Sequence, residues 1–411
     1  MERPLDVVLF GATGFTGRLV ADYLAAQHAR DVKWAIAGRS ADKLAKVKSE
    51  LAKIDGALSE LPVLVGDSAD KNAMAEIAKK TRVVCTTVGP YAKYGGPLAA
   101  ACAENGTSYC DLTGEVPFIR KSIDQNHARA QETRARIVHC AGFDSIPSDL
   151  GVWILHEHFQ KLGKKLASAS FFCGPMKGGF SGGTVASMME ILDAAGKDAD
   201  LRKLVGDPYA LLPDREKDRG PDGQDQRDVR FDERIGQWTG PFVMAAVNTR
   251  IVRRTNALLD FAYGKGFQYS EAMSFGPGPQ GFVRAAGITG GLALFVGVAS
   301  FEKGRVLLGP LLPAPGEGPS KENRDAGFFK VRIVGEGEGA RVDAFVAGTS
   351  DPGYGETAKM LGESAICLAK DELPERFGVL TPASAMGTAL VNRLRGAGMT
   401  FETKEVGPAG A

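Results

Sequence analysis

Three glycines at intervals of three, in Gly11-Ala12-Thr13-Gly14-Phe15-Thr16-Gly17, follow the apolar run Val7–Phe10 and precede a helical pattern that opens at Arg18. A turn without Cβ atoms lets backbone amides approach a pyrophosphate, and a helix starting there supplies partial positive charge. Three glycines alone say little. Between a first strand and a first helix they indicate a dinucleotide site built from Gly11, Thr13, Gly14, Phe15, Thr16 and Gly17. The second apolar run ends Ala37-Gly38-Arg39-Ser40, which places Arg39 twenty-two residues beyond Gly17. NAD-preferring domains carry a carboxylate there for the ribose hydroxyls; this chain has Arg39 and Ser40, with Lys43 one helical turn later. A guanidinium suits a 2′-phosphate by charge and by its fork of donors, so NADPH is the expected cofactor. Two features point elsewhere: Ser40 could only cap the next helix, and Asp42 could swing toward the ribose. Asp67 fits two roles, a hydrogen bond to the adenine amine or a helix cap.

The strands that follow should carry the reactive end. In a doubly wound sheet, ligands sit beyond the carboxyl ends of the strands. The fourth run delivers Val88-Gly89-Pro90-Tyr91, with Gly89 and Pro90 making a rigid corner beside the cofactor. The fifth delivers Asp111-Leu112-Thr113-Gly114-Glu115, and the sixth Gly142-Phe143-Asp144-Ser145-Ile146-Pro147. Hydride transfer belongs to the cofactor; the protein must orient it and offer a proton. None of the eight tyrosines is followed four residues later by lysine, and no His-Glu-x-x-His or comparable metal spacing occurs. Tyr91 is therefore the first candidate proton donor, followed by Asp144 and Glu115, although each carboxylate also suits helix capping. No metal is expected.

These residues need a scaffold, and the first 150 residues supply its pattern. Strand-like runs at Val7–Phe10, Trp34–Ala37, Leu61–Val65, Val83–Val88, Tyr109–Leu112 and Ile137–Ala141 alternate with helical stretches. That alternation predicts an α/β fold with a doubly wound, Rossmann-type parallel sheet over residues 1–150. Residues 151–378 read as a second, α+β domain with a mixed sheet. Within it Phe328–Val334 and Arg341–Ala347, joined by Gly335–Gly339, form an expected hairpin. Alternation over Phe242–Arg253 reads as a strand, with Arg250, Arg253 and Arg254 on its solvent face. Asp214–Arg234 holds fourteen charged residues in twenty-one, eight acidic and six basic, the pattern of a solvated mobile loop.

Composition closes off several classes. Fifty Lys and Arg against forty-nine Asp and Glu give a net charge of +1, which offers no field for nucleic acid. Six cysteines without a Cys-x-x-Cys pair argue against a disulfide framework. A strand-like run beginning at Val7 leaves no signal peptide, so a cytoplasmic location is expected. Between Arg284 and Glu302 lie seventeen uncharged residues, Ala285–Phe301. They suit a buried core or subunit-interface helix, or else peripheral contact with a membrane or a lipid substrate; a true span sits at its lower length limit.

Taken together, Gly-Ala-Thr-Gly-Phe-Thr-Gly, Ala-Gly-Arg-Ser, Val-Gly-Pro-Tyr, Tyr109–Glu115 and Gly142–Asp149 resemble the saccharopine dehydrogenase-like oxidoreductases. The resemblance continues through Ser181–Thr184, Pro315–Ser320 and Gly378–Ala383, nearly the whole chain. Within that group the sequence is most similar to the trans-acting enoyl reductases of actinobacterial lipid and polyketide biosynthesis. The resemblance implies an NADPH-dependent reduction of a C=C bond on a carrier-bound, lipid-like acyl chain, for a polyketide synthase module lacking its own reductase. It also implies that the C-terminal helix within residues 379–411 returns to the nucleotide domain, and that a middle domain closes over the nicotinamide. Two other readings stand beside it: reduction of an imine or carbonyl on a small metabolite, and a non-catalytic NADP-binding membrane-associated protein.

Overall fold

The protein is described here by a computed structural model that covers residues 3–178, 182–309 and 318–407, without the side chains of residues 182–186. Ser181 and Pro315–Glu317 of the two family motifs named above lie outside the described residues.

Two seven-stranded sheets organise the chain. The first is parallel throughout and runs β3 (Val63–Val65), β2 (Trp34–Gly38), β1 (Leu5–Phe10), β4 (Thr81–Thr86), β5 (Ser108–Asp111), β6 (Arg136–Val138). Beside β6, from far along the chain, comes β13 (Gly378–Leu380). Its strands are apolar on both faces because both are covered. Alternate β1 residues feed two cores. Val7 and Leu9 pack with Val20 and Leu24 of helix Phe15–His28, whereas Val8 and Phe10 pack with Met74, Ile77 and Leu98 on the other side. This is the doubly wound α/β arrangement expected from the alternation. Strand order reverses direction between β1 and β4, which is where such sheets open a crevice.

The second sheet is mixed, in the order β14 (Thr400–Gly407), β12 (Ala340–Gly348), β11 (Phe328–Gly337), β7 (Ser168–Lys177), β10 (Gln268–Ser274), β9 (Gln237–Gly240), β8 (Arg230–Asp232). Only the pairing of β7 with β10 is parallel. The hairpin of β11 and β12 forms as expected, closing with Gly337 opposite Ala340. The two sheets share helices. Thr357–Lys370 follows β12 of the second sheet yet packs on β1, β4 and β5 of the first. Asp149, in helix Ile146–Lys161, accepts hydrogen bonds from Thr255 Oγ1 and from the Ala383 amide at 2.7 Å. Three helices from distant stretches of chain are thereby fastened at one carboxyl group.

Two expectations are corrected. The stretch read as a strand over Phe242–Arg253 lies mostly in the helix Ala245–Leu258, and Arg250, Arg253 and Arg254 are buried rather than solvent-facing. The helix is enclosed on nearly every side, so no polar stripe marks its period and the alternation of apolar and basic residues misleads. Its cations find partners inside. Arg250 pairs with Asp225; Arg253 pairs with Asp222 at 2.6 Å and donates to the Pro208 and Tyr269 carbonyls; Arg254 donates to the Leu211 and Val379 carbonyls, both at 2.6 Å. Asp222 and Asp225 belong to the charge-rich segment Asp214–Arg234. The segment is accordingly strapped to the helix at these points instead of standing free as a loop. The second correction concerns Ala285–Phe301. It lies mostly in helix Gly278–Ala299, of which only Gly281, Ala285 and Ala299 are buried, so it is not a core helix.

Candidate nucleotide and reduction site

β1 ends at Phe10, and the chain reverses through Gly11 into helix Phe15–His28. Gly11 has φ +96°, and a Cβ there would stand 2.6 Å from Val88 Cγ2. A Cβ on Gly17 would lie 2.1 Å from the Gly11 carbonyl oxygen, so the helix can approach the strand this closely only without one. Gly14 differs: its added Cβ would meet nothing nearer than 3.5 Å, and Gly14 and Thr13 are exposed. The helix has no side-chain cap at its start, which leaves its first amides open to an anion. A pyrophosphate therefore fits the outer side of Thr13-Gly14-Phe15-Thr16. The Phe15 side chain serves another purpose. Its ring meets Tyr354 edge-on at 4.9 Å and lies beneath Arg324, which packs the loop against the second domain.

At the end of β2, Arg39 is exposed and makes no ion pair among the described residues. Ser40 caps helix Ala41–Leu51, accepting from the Lys43 amide at 3.4 Å, while the Lys43 and Asp42 side chains are exposed in the first turn. Asp67 accepts from the Ala69 amide at 2.9 Å, and the cap of the next helix is Asp70 instead. Arg39, Lys43 and Asp67 thus stay available at the rim where an adenosine ribose would lie. The positive charge of Arg39 and Lys43 fits a 2′-phosphate.

The next three strand ends are welded together. The Gly89–Pro90 peptide is cis, and the short helix Tyr91–Tyr94 starts after it. Glu115, buried at the end of β5, accepts from the Tyr91 amide at 2.9 Å, the Ala92 amide at 2.8 Å and Ser187 Oγ at 2.7 Å. Its carboxylate is occupied in capping that helix and in gripping Ser187, on helix Gly182–Lys197 of the second domain. Tyr91 is buried, and its hydroxyl donates to the Thr86 carbonyl at 3.1 Å. Burial, followed by the neighbouring Asp111, pushes that hydroxyl well above the usual tyrosine range. Below it His139 joins Asp111 and Ser122, each at 2.8 Å, and Tyr109 donates to Asp111 at 2.9 Å, so this layer is a closed polar network.

Asp144 is unlike Glu115. It stands just beyond β6 between two glycines: a Cβ on Gly142 would come within 3.2 Å of Asp144 Oδ2, and one on Gly114 within 3.5 Å of Oδ1. No other side chain hydrogen-bonds its carboxyl group among the described residues, and the residue is only partly covered. The carboxyl group itself is shut off from water, and that loss of hydration, helped by nearby Asp111 and only partly offset by a bond from its own amide, raises its pKa to about 7. The neighbouring Ser145 leads into a polar chain that nothing in the sequence singled out. Ser145 Oγ donates to Asn248 at 2.9 Å, Asn248 donates to Glu271 at 3.0 Å, and Tyr269 donates to Glu271 at 2.7 Å. Burial lifts Glu271 to about 7 as well. Among the described residues no cluster of three or more His, Cys, Asp or Glu side chains could hold a metal.

Comparison with known proteins locates this geometry. A trans-acting enoyl reductase of Mycobacterium tuberculosis is 42% identical over 415 residues, covering 98% of both chains. That of Mycobacterium ulcerans is 42% identical over 407 residues and 96% of both. The chain belongs to the trans-acting enoyl reductase family. Residues 7–138 match the saccharopine dehydrogenase NADP binding domain, the stretch that carries Gly11–Gly17, Arg39 and Glu115. The protein is thus an NADP-dependent oxidoreductase of the enoyl reductase family. Apo saccharopine dehydrogenase of Saccharomyces cerevisiae shares the fold, with a TM-score of 0.52 at 14% identity over 98% of this chain and 100% of that one.

Proposed function

We propose that the protein reduces the α,β-double bond of an acyl chain carried on a thioester, in lipid or polyketide assembly, acting for a synthase module without its own reductase. NADPH, when bound, supplies the hydride. The outer amides of Thr13–Thr16 hold its pyrophosphate, Arg39 and Lys43 its 2′-phosphate, and Asp67 its adenine. The Gly89–Pro90 corner, fixed by Glu115, walls the nicotinamide pocket. The proton for the α-carbon comes from the Asp144 carboxyl group, and Tyr91, with its hydroxyl committed to Thr86, keeps that corner in shape.

The single observation that carries this reading is Asp144. It is a carboxyl group with no side-chain hydrogen-bond partner among the described residues, set between two glycines at the carboxyl end of the sheet and balanced between acid and base near neutrality. The name trans-acting enoyl reductase, borne by relatives covering 96–98% of this chain, supports an enoyl substrate. The buried arginines weigh against a polycarboxylate amino acid substrate, because Arg250, Arg253 and Arg254 are engaged by Asp225, Asp222 and main-chain carbonyls. NADPH oxidation is to be followed with a long trans-2-enoyl thioester and, separately, with a 2-oxo acid plus ammonia. Turnover with the first alone is expected; turnover only with the second would replace this reading by imine reduction.

A further inference from the structure

Helix Gly278–Ala299, 22 residues long, lies against β9, next to the edge strand of the second sheet, and is mostly exposed. Its apolar side chains do not form one stripe. At about 100° per residue, Phe282, Val283, Ile288, Leu294 and Val296 fall on several sides, and all five are exposed, Val283 and Leu294 to 67% and 69%. No residue from Ala285 to Phe301 is charged, and the most apolar eighteen-residue window has a mean hydropathy of 1.7. The next helix, Glu302–Leu308, adds exposed Val306 and Leu307.

A protein partner covers one stripe of a helix; an apolar surface reaching round most of it calls for a surrounding apolar medium. The helix does not cross such a medium from one side to the other, because both of its ends are tied to the same domain. Phe282 packs on Trp238 of β9 at 4.9 Å, and Arg305 pairs with Asp193 on helix Gly182–Lys197. The borders fit a lipid headgroup layer. Arg284 and Glu302 border the uncharged stretch and Lys303 follows; all three are exposed, and the two cations, Arg284 and Lys303, have no carboxylate partner among the described residues. Trp238, Phe231 and Phe282 form an aromatic cluster at the helix base, beside an open apolar hollow lined by Gly278 and Pro279. Tryptophan favours this depth of a bilayer, and cations favour anionic headgroups.

We propose that residues 278–308 are a monotopic membrane-docking element that sinks its apolar side chains into the acyl layer of a bilayer with anionic headgroups. This stands independently of the enoyl reductase reading. The test uses the full-length protein and vesicles of phosphatidylcholine with phosphatidylglycerol, and compares it with a Val283→Asp/Leu294→Asp variant. Both positions are solvent-exposed, and NADPH binding in solution checks that the variant is folded. The wild type is expected to float with the vesicles, and the variant's partitioning to fall more than about tenfold. Acyl-brominated lipid is expected to quench Trp238, since Trp34 is buried and Trp153 lies within the helix packing. Failure of the wild type to float, equal flotation of both proteins, or flotation without quenching overturns the proposal. So does a lipid-free dimer that the variant splits into monomers, because a second copy would then cover the helix.

Discussion

Replacing Asp144 by asparagine removes the acid while keeping the size and shape of the side chain between Gly114 and Gly142. With a pKa of about 7, the carboxyl group is protonated in about 90% of molecules one pH unit below and about 10% one unit above. If Asp144 delivers the proton, kcat for the enoyl thioester should be nearly level below pH 6 and fall about tenfold for each unit above pH 8. The Asp144→Asn enzyme should lose about 10²–10⁴-fold in kcat at pH 6.5, the usual worth of general acid catalysis. Its remaining rate should no longer follow this titration. NADPH affinity, measured by the fluorescence of the bound nucleotide, should change less than about threefold, since nothing places Asp144 at the phosphates. Stopped-flow oxidation of NADPH under single-turnover conditions separates the chemical step from product release. A level profile from pH 6 to 9 in the wild type, or a variant keeping more than about a third of the rate, would refute the role given to this carboxyl group.

Arg39→Ala should weaken NADPH by about 10–100-fold, the worth of one charge-assisted hydrogen bond, and NADH by less than about threefold; equal losses in calorimetry would show that Arg39 does not read the 2′-phosphate. Buried Glu271 binds its proton more tightly in the folded protein than in the unfolded chain. Its stabilising contribution is therefore complete below about pH 4.5 and lost as pH rises through about 7. Over that window its share of the loss is about 3 kcal/mol, so Glu271→Gln should flatten the fall in Tm between pH 5 and pH 8; parallel curves for the two proteins would contradict this.

The parts of the site that the sequence made legible are those written in one continuous stretch. Gly11–Gly17 joins a strand to a helix within a dozen residues, and Arg39 needs only the next strand to stand at the same end of the sheet, so local pattern suffices to place both. Glu115 shows the limit. Its type and place at a strand end suggested chemistry or capping alike. The decision rests on the Tyr91 and Ala92 amides and on Ser187, brought to it from more than twenty and seventy residues away. Asn248 and Glu271 left no trace because a buried polar pair in a helix and a strand looks, in one dimension, like two solvent-facing residues. Helix Ala245–Leu258 was misread for a related reason: segment 207–225 covers its basic side, so its arginines obey partners instead of a hydrophobic period. The uncharged stretch gave its composition but not its exposure, which depends on what the rest of the chain leaves uncovered.

The seventh strand of the parallel sheet has a consequence for how this molecule is made. β13 pairs with β6 through Gly378 beside Arg136, and Arg254 reaches the same strand by its bond to the Val379 carbonyl. A nascent chain cannot complete the nucleotide-binding sheet when its first 150 residues leave the ribosome; it must hold an unpaired sheet edge until about 230 more have emerged. Cutting out the front portion as a portable coenzyme module would expose that same edge, and the fragment should aggregate unless the distant strand is supplied with it.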